Sequence, residues 1–213
     1  MRSFLFALTF LLVVSIVPVS GQVLLSGGLG IDLTDNHSLN DYITVISFER
    51  RPDFNTNAEF FGEADYLLGN SHALGIEYAF SVNSYSNNTQ GYYDLSWNFH
   101  MPSALYFYML NGPGYKFKFG GGAGYRYAKM EESRGYYISP VSYSASGWGM
   151  LLRAEGNTSL GGSLYALIAA QLRWDFTGDL KNEGQTVVNP ATSEKVNMSG
   201  FAVGLRLGVS YYF

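Results

Sequence analysis

The segment at 197–213, NMSGFAVGLRLGVSYYF, leaves the chain few folds to choose from. Every second residue from Phe201 is large and apolar or aromatic: Val203, Leu205, Leu207, Val209, Tyr211 and Phe213. The residues between them are Ala202, Gly204, Arg206, Gly208, Ser210 and Tyr212. Successive side chains of a strand point to opposite faces. One face is therefore wholly apolar, and the other is small or polar with a single charge near its middle.

The same period recurs upstream. Segments 23–33, 58–68, 73–83, 91–101, 116–128, 145–157 and 163–177 all alternate, which with the last segment predicts eight strands. Gly69-Asn-Ser and Leu160-Gly-Gly are tight-turn signals. Longer polar connections at 34–56, 129–144 and 178–196 follow strands one, five and seven. Within the first, Ser38-Leu-Asn-Asp-Tyr-Ile reads as a short capped helix with Leu39, Ile43 and Ile46 on one side; an extra strand at 42–49 competes with it. Segment 104–110 reads as an interfacial helical turn, with an extension of strand four as the alternative. If both disputed segments joined the sheet, it would have ten strands.

The two faces differ in content. Charges share theirs with Gly120, Gly122, Gly124, Gly204 and Gly208. The opposite face carries aromatics near strand ends: Tyr78, Phe80, Trp97, Phe99, Tyr125, Tyr127, Trp174, Phe176, Tyr211 and Phe213. Small residues suit the interior of a narrow eight-stranded barrel, and terminal aromatics suit the girdles of a membrane barrel. The charged face is expected to point inward. Buried charges must be paired and hydrogen-bonded. The expected lumen salt-bridge network comprises Glu63, Asp65, Glu77, Asp94, Lys118, Arg126, Arg153, Glu155, Arg173, Asp175 and Arg206, with Lys116 as a sixth base that balances six acids.

Composition agrees. Only 14% of residues are charged, against roughly 25% in ordinary globular chains. There are 17 Tyr and 25 Gly in 213 residues. A net charge of −4 argues against a nucleic-acid partner. The absence of Cys excludes disulfides, thiol nucleophiles and Cys-based metal sites. Arg2, the apolar run 4–17, Pro18 and Val19-Ser-Gly21 predict a signal peptide over 1–21, leaving 22–213 as one barrel domain. A mature chain without a spanning helix can cross a membrane only as a closed barrel.

The ending Val209-Ser-Tyr-Tyr-Phe213 resembles the closing strand of Gram-negative outer-membrane β-barrels. The chain as a whole resembles the small eight-stranded members, of the OmpA membrane domain, outer-membrane protein X and outer-membrane protein W type. The resemblance implies an all-β, eight-stranded antiparallel up-and-down transmembrane barrel in the bacterial outer membrane. It also implies that Val209, Tyr211 and Phe213 form an assembly signal for the barrel-assembly machinery, and that the exterior meets lipid and lipopolysaccharide. Activity is not implied, because such barrels include adhesins, narrow channels and lipid-modifying enzymes. The expected role is structural or surface-binding, through the extracellular loops 34–56, 129–144 and 178–196. The alternatives are a lipid-modifying enzyme and a narrow channel for small apolar solutes.

Catalytic signals are sparse, and no enzyme activity or cofactor is expected. Asp35, His37 and Ser38 are the one nucleophile, base and acid trio close in sequence, and capping and turn chemistry accounts for Asp35 and Ser38. His37, His72 and His100 are too scattered for a metal site. Gly120-Gly-Gly-Ala-Gly124 precedes Tyr125-Arg-Tyr127, a continuing strand, where a dinucleotide loop needs a helix. The N-x-S/T triplets at Asn87, Asn157 and Asn197 read as turn residues.

Overall fold

The computed structural model describes residues 22–47, 54–87, 92–135 and 139–213; the predicted signal peptide lies outside them. The elements in chain order are β1 (Val23–Asp35), α1 (His37–Ser47), β2 (Phe54–Leu68), β3 (His72–Asn87), β4 (Tyr93–Gly112), β5 (Tyr115–Arg134), β6 (Val141–Gly161), β7 (Leu164–Thr177), a small hairpin β8 (Lys181–Asn182) and β9 (Gln185–Thr186), and β10 (Gly200–Tyr212). Eight of these strands form an antiparallel barrel in the order β5-β4-β3-β2-β1-β10-β7-β6, closed by pairing β5 with β6. The β8–β9 hairpin attaches to β6 at Ser144.

Paired residues followed once round the wall run from Leu24 through Asp65, Gly75, Leu105, Gly122, Leu151, Arg173 and Ala202, and return to β1 at Thr34, ten residues on. That stagger tilts the strands and sets the narrow bore. The turns at one end are tight, with Gly69 and Gly114 at φ 69° and 78° supplying a backbone that other residues resist. In outer-membrane barrels the short-turn end is periplasmic. β4, β5 and β6 run 20, 20 and 21 residues and rise past β1 and β10, at 13 each. The extracellular wall is therefore taller on one side.

The burial pattern is inverted relative to a protein in water. Leu205, Ile76 and Ile168 on the outside are 64%, 62% and 60% exposed, while Lys118 and Arg126 inside are at 0%. An apolar exterior around a charged interior is stable only where lipid replaces water. Aromatic side chains ring the exterior near both ends, Tyr125, Tyr127 and Phe176 above and Tyr66, Tyr211 and Phe213 below.

Four expectations need correction. Segment 104–110 is not a helical turn: it continues β4, with Tyr106 and Tyr108 outside and Leu105, Phe107 and Met109 inside. Both of its faces are apolar, so alternation there left no polar mark. Trp97 and Phe99 are not girdle residues. They point inward with Leu95 and Met101, because β4 at this height faces the apolar side of α1. The loop expected at 129–144 is largely strand among its described residues, since β5 runs to Arg134 and β6 starts at Val141. Above the membrane both faces of these strands carry polar residues, which masks the period. Asn157 is no turn residue; it lies buried in β6, and its amide donates to Glu155. The α1 reading holds, with Leu39 and Ile43 buried and Ile46 against the same cluster. The competing strand at 42–49 does not form as far as Ser47, and residues 48 and 49 lie outside the described residues.

Candidate functional site: a filled and capped interior

The interior is built in layers. At the periplasmic end Leu105, Phe107, Met109 and Leu151 pack together, with Leu67 and Tyr212 against them. Lys116 sits at this mouth with its ammonium 4.2 Å from the Tyr212 ring centre.

Above them Lys118 Nζ donates to three carboxylates, Glu63 at 2.6 Å, Asp65 at 2.7 Å and Glu155 at 2.9 Å. Arg153 bridges Glu63 at 2.6 Å and Glu77 at 2.7 Å. Arg206 comes from the last strand, donates to Glu59 at 2.6 Å and to Glu77 at 2.5 Å, and lies on the Phe61 ring. Arg173 joins Asp32 at 2.5 Å, Glu59 at 3.0 Å and Asp175 at 2.8 Å. Arg126 meets the other oxygen of Asp175 at 2.6 Å. Inward positions recur every second residue, so one charge per strand level suffices to link seven strands. The space left between Glu59, Glu77, Ser103, Arg126, Arg173 and Arg206 is about 140 Å³, and none of it admits a water molecule.

Ten of the eleven residues expected in the lumen are buried there. Asp94 is not. It lies on the outer face of β4 above the membrane, accepting from Ser86 Oγ, because the aromatic set of that strand took the inward side. The sequence reading also missed Asp32 and Glu59, both fully buried in the network. Their signal was available: Asp32 follows Gly28 and Gly30 on the small face of β1, and Glu59 precedes Glu63 at even spacing. Seven carboxylates thus face five cations, where equal numbers were expected.

Arg126 also repairs the wall. The β4–β5 ladder breaks at Met101 and Pro102, and proline has no N–H to give. Arg126 Nη1 donates to the nearby Tyr125 carbonyl at 3.0 Å and to Ser103 Oγ at 3.1 Å.

The extracellular end is capped. Leu39, Tyr42 and Ile43 of α1 pack against Tyr93, Leu95, Trp97, Ala128 and Met130 of the wall. Leu180, Val187, Val196 and Met198 complete this cluster, so the connection 178–199 is a packed lobe rather than a free polar loop. Asn36 Nδ2 donates to the Met198 carbonyl at 3.1 Å, and Asn197 N–H donates to Ser38 Oγ at 3.1 Å. The fastening of α1 to the tall wall is Glu132, fully buried on β5. Its carboxylate accepts from Tyr93 at 2.9 Å, Tyr42 at 3.2 Å, Tyr143 at 3.3 Å and Arg134 at 3.0 Å. Burial, and then the neighbouring Glu132 charge, push the Tyr42 and Tyr93 hydroxyls well above the usual phenol range.

The Asp35, His37 and Ser38 trio does not assemble. His37 Nε2 lies 3.3 Å from Asp41, and Ser38 Oγ is an acceptor for Asn197. No group of three metal-ligating side chains occurs among the described residues. The residues 120–124 lie within β5. Val209, Tyr211 and Phe213 all point outward on or just past β10.

No protein-family model matches the chain, and the search of curated proteins finds no match. Solved structures do match its shape. The attachment invasion locus protein Ail of Yersinia pestis aligns with a TM-score of 0.55 at 14% identity, over 92% of this chain and 100% of that one. A major outer membrane protein of Thermus thermophilus gives 0.54 at 12% identity, over 90% and 99%. OprG of Pseudomonas aeruginosa gives 0.51 at 13% identity, over 91% and 96%. The chain has the fold of bacterial outer-membrane β-barrels, and its exterior is that of a protein standing in lipid.

Proposed function

We propose that this outer-membrane barrel works from its extracellular surface, as a structural or ligand-binding element, and passes no solute through its bore. The supporting observation is the occlusion of the interior at three levels: the periplasmic apolar layer, the charge network and the α1 cap. An Ail structure holds a heparin analogue, sucrose octasulfate. The extracellular side here favours a different ligand class. Among the described residues Asp35, Asp41, Asp94, Glu131, Asp179, Glu183 and Glu194 stand against Lys129, Arg134, Lys181 and Lys195. That balance repels polyanions and suits a neutral or basic partner. Planar-bilayer recording on the purified protein tests the closed bore: silence is expected, and a steady ohmic current restores the channel reading. Crosslinking on intact cells, followed by pulldown in low and high salt, tests the partner class.

A further inference from the structure

We propose that Asp65 is a proton-binding site, holding a carboxylic acid inside the barrel at neutral pH. The buried network contains Asp32, Glu59, Glu63, Asp65, Glu77, Glu155 and Asp175 against Lys118, Arg126, Arg153, Arg173 and Arg206, an excess of two carboxylates. Excess negative charge in a dry, low-dielectric interior is costly, and a carboxylate that no neutral donor stabilises relieves it by taking up a proton.

The geometry selects the position. In the upper layer the surplus falls on Asp32 and Glu59, and Gln171 Nε2 donates to both at 3.3 Å. In the lower layer no such donor serves Asp65. Glu63 has one oxygen on Lys118 and the other on Arg153. Glu155 Oε1 is held by Lys118 and by the Asn157 amide. Asp65 shares Lys118 through Oδ2 alone, and its buried Oδ1 meets no hydrogen-bond partner. Glu63 lies two residues along the same face and bonds the same Lys118 ammonium, so two carboxylates compete there for one cation.

Among the described residues Lys118 is the one cation bonded to Asp65. From β5 Asp65 faces Lys118, with Lys116 further down the same face and held over the Tyr212 ring; from β6 come Glu155 and Arg153, the latter bonded to Glu63; and its own strand gives Glu63. β1 presents Leu24 beside it, and β3 and β4 present Gly75 and Leu105. β10 presents Tyr212, whose buried hydroxyl also lacks a partner. Register sets Asp65 opposite Leu24, near the short-turn end, so the proton belongs to the periplasmic side. The consequence is a barrel whose stability responds to periplasmic pH. It is firm while Asp65 is neutral and loosens as pH rises and the second charge appears.

The test is infrared spectroscopy of the whole barrel in lipid vesicles between pH 5 and pH 9. The expected wild-type result is a carbonyl band from one buried, un-ionised carboxylic acid at neutral pH. It should shift when aspartate carboxyls carry ¹³C, and disappear in Asp65→Asn. In the same variant the urea midpoint should cease to fall with rising pH. Absence of the band at neutral pH, insensitivity to labelled aspartate, or persistence in Asp65→Asn overturns the proposal. Should Asp65→Asn not fold, Gly75→Ala decides. A Cβ at that position presses on Asp65 Oδ1 and shifts the band if the acid is Asp65, and an unmoved band overturns the assignment.

Discussion

Gly75 on β3 pairs with Asp65 on β2, and the Asp65 carboxylate occupies the volume a Gly75 Cβ would need. Gly204 stands in the same relation to Asp32, and Gly149 to Arg126 and Asp175. These glycines make room for charge. Gly75→Ala is expected to displace Asp65 from Lys118 and lower the unfolding free energy by about 1–3 kcal/mol, the usual range for overpacking. Gly62 faces outward with open space round it, so Gly62→Ala serves as the control and should leave the urea midpoint unchanged.

Arg206→Ala leaves Glu59 and Glu77 each short of a cation in a dry interior. Breaking a buried pair by removing one partner costs about 3–5 kcal/mol. The measurement is the urea midpoint of the barrel folded into vesicles, compared with Lys129→Ala at an exposed pair, where about 0–1 kcal/mol is expected. Equal midpoints for the two variants would show that the network adds nothing to stability.

Glu132→Ala removes the acceptor shared by three tyrosines and Arg134. The expected outcome is faster protease cleavage within α1, with the barrel core still resistant. Tyr42→Phe should loosen α1 in the same direction, since Tyr42 is the α1 hydroxyl bonded to Glu132, while Tyr93, Tyr143 and Arg134 still satisfy the carboxylate.

The cap should also loosen in alkali. Tyr42 and Tyr93 hold their protons more tightly folded than unfolded. The stability they contribute is fully present below the ordinary phenol value of about 10 and is lost as pH climbs beyond it. Tyrosinate absorbance and α1 proteolysis should therefore rise together above pH about 10, while in Glu132→Ala they separate.

Deleting Phe213, or replacing it with Asp, should reduce insertion and leave the chain to periplasmic proteases. Phe213 packs on Tyr211 with ring centres 4.7 Å apart and carries the apolar outer face to the periplasmic rim. Heat-modifiable, membrane-inserted protein at wild-type levels would count against an assembly role.

Sequence alternation located all eight barrel strands because each contrasts a small or charged face with an apolar one. It failed where that contrast vanishes. At 104–110 both faces are apolar, and above the membrane both are polar. Strand β4 carries the deepest error, since which of its faces turns inward depends on α1, a partner far away in sequence. Trp97 and Phe99 look like girdle residues until the helix beneath which they lie is in place. Glu59 and Asp32 were readable from parity alone, whereas the Glu132 cluster was not. Tyr42, Tyr93, Glu132 and Tyr143 come from four elements, and no local pattern announces them.

Arg206 lies on the last strand, yet it reaches Glu59 and Glu77 across the bore, each of which has one other cation, Arg173 and Arg153. A seven-stranded intermediate is therefore more than a barrel with a gap. It is an open trough whose acids lack part of their counter-charge, and such a surface is better solvated by water than by lipid. With β10 in place the wall closes and Arg206 brings its charge to the acids. A copy that stops short of β10 is therefore expected to insert poorly on solvation grounds alone.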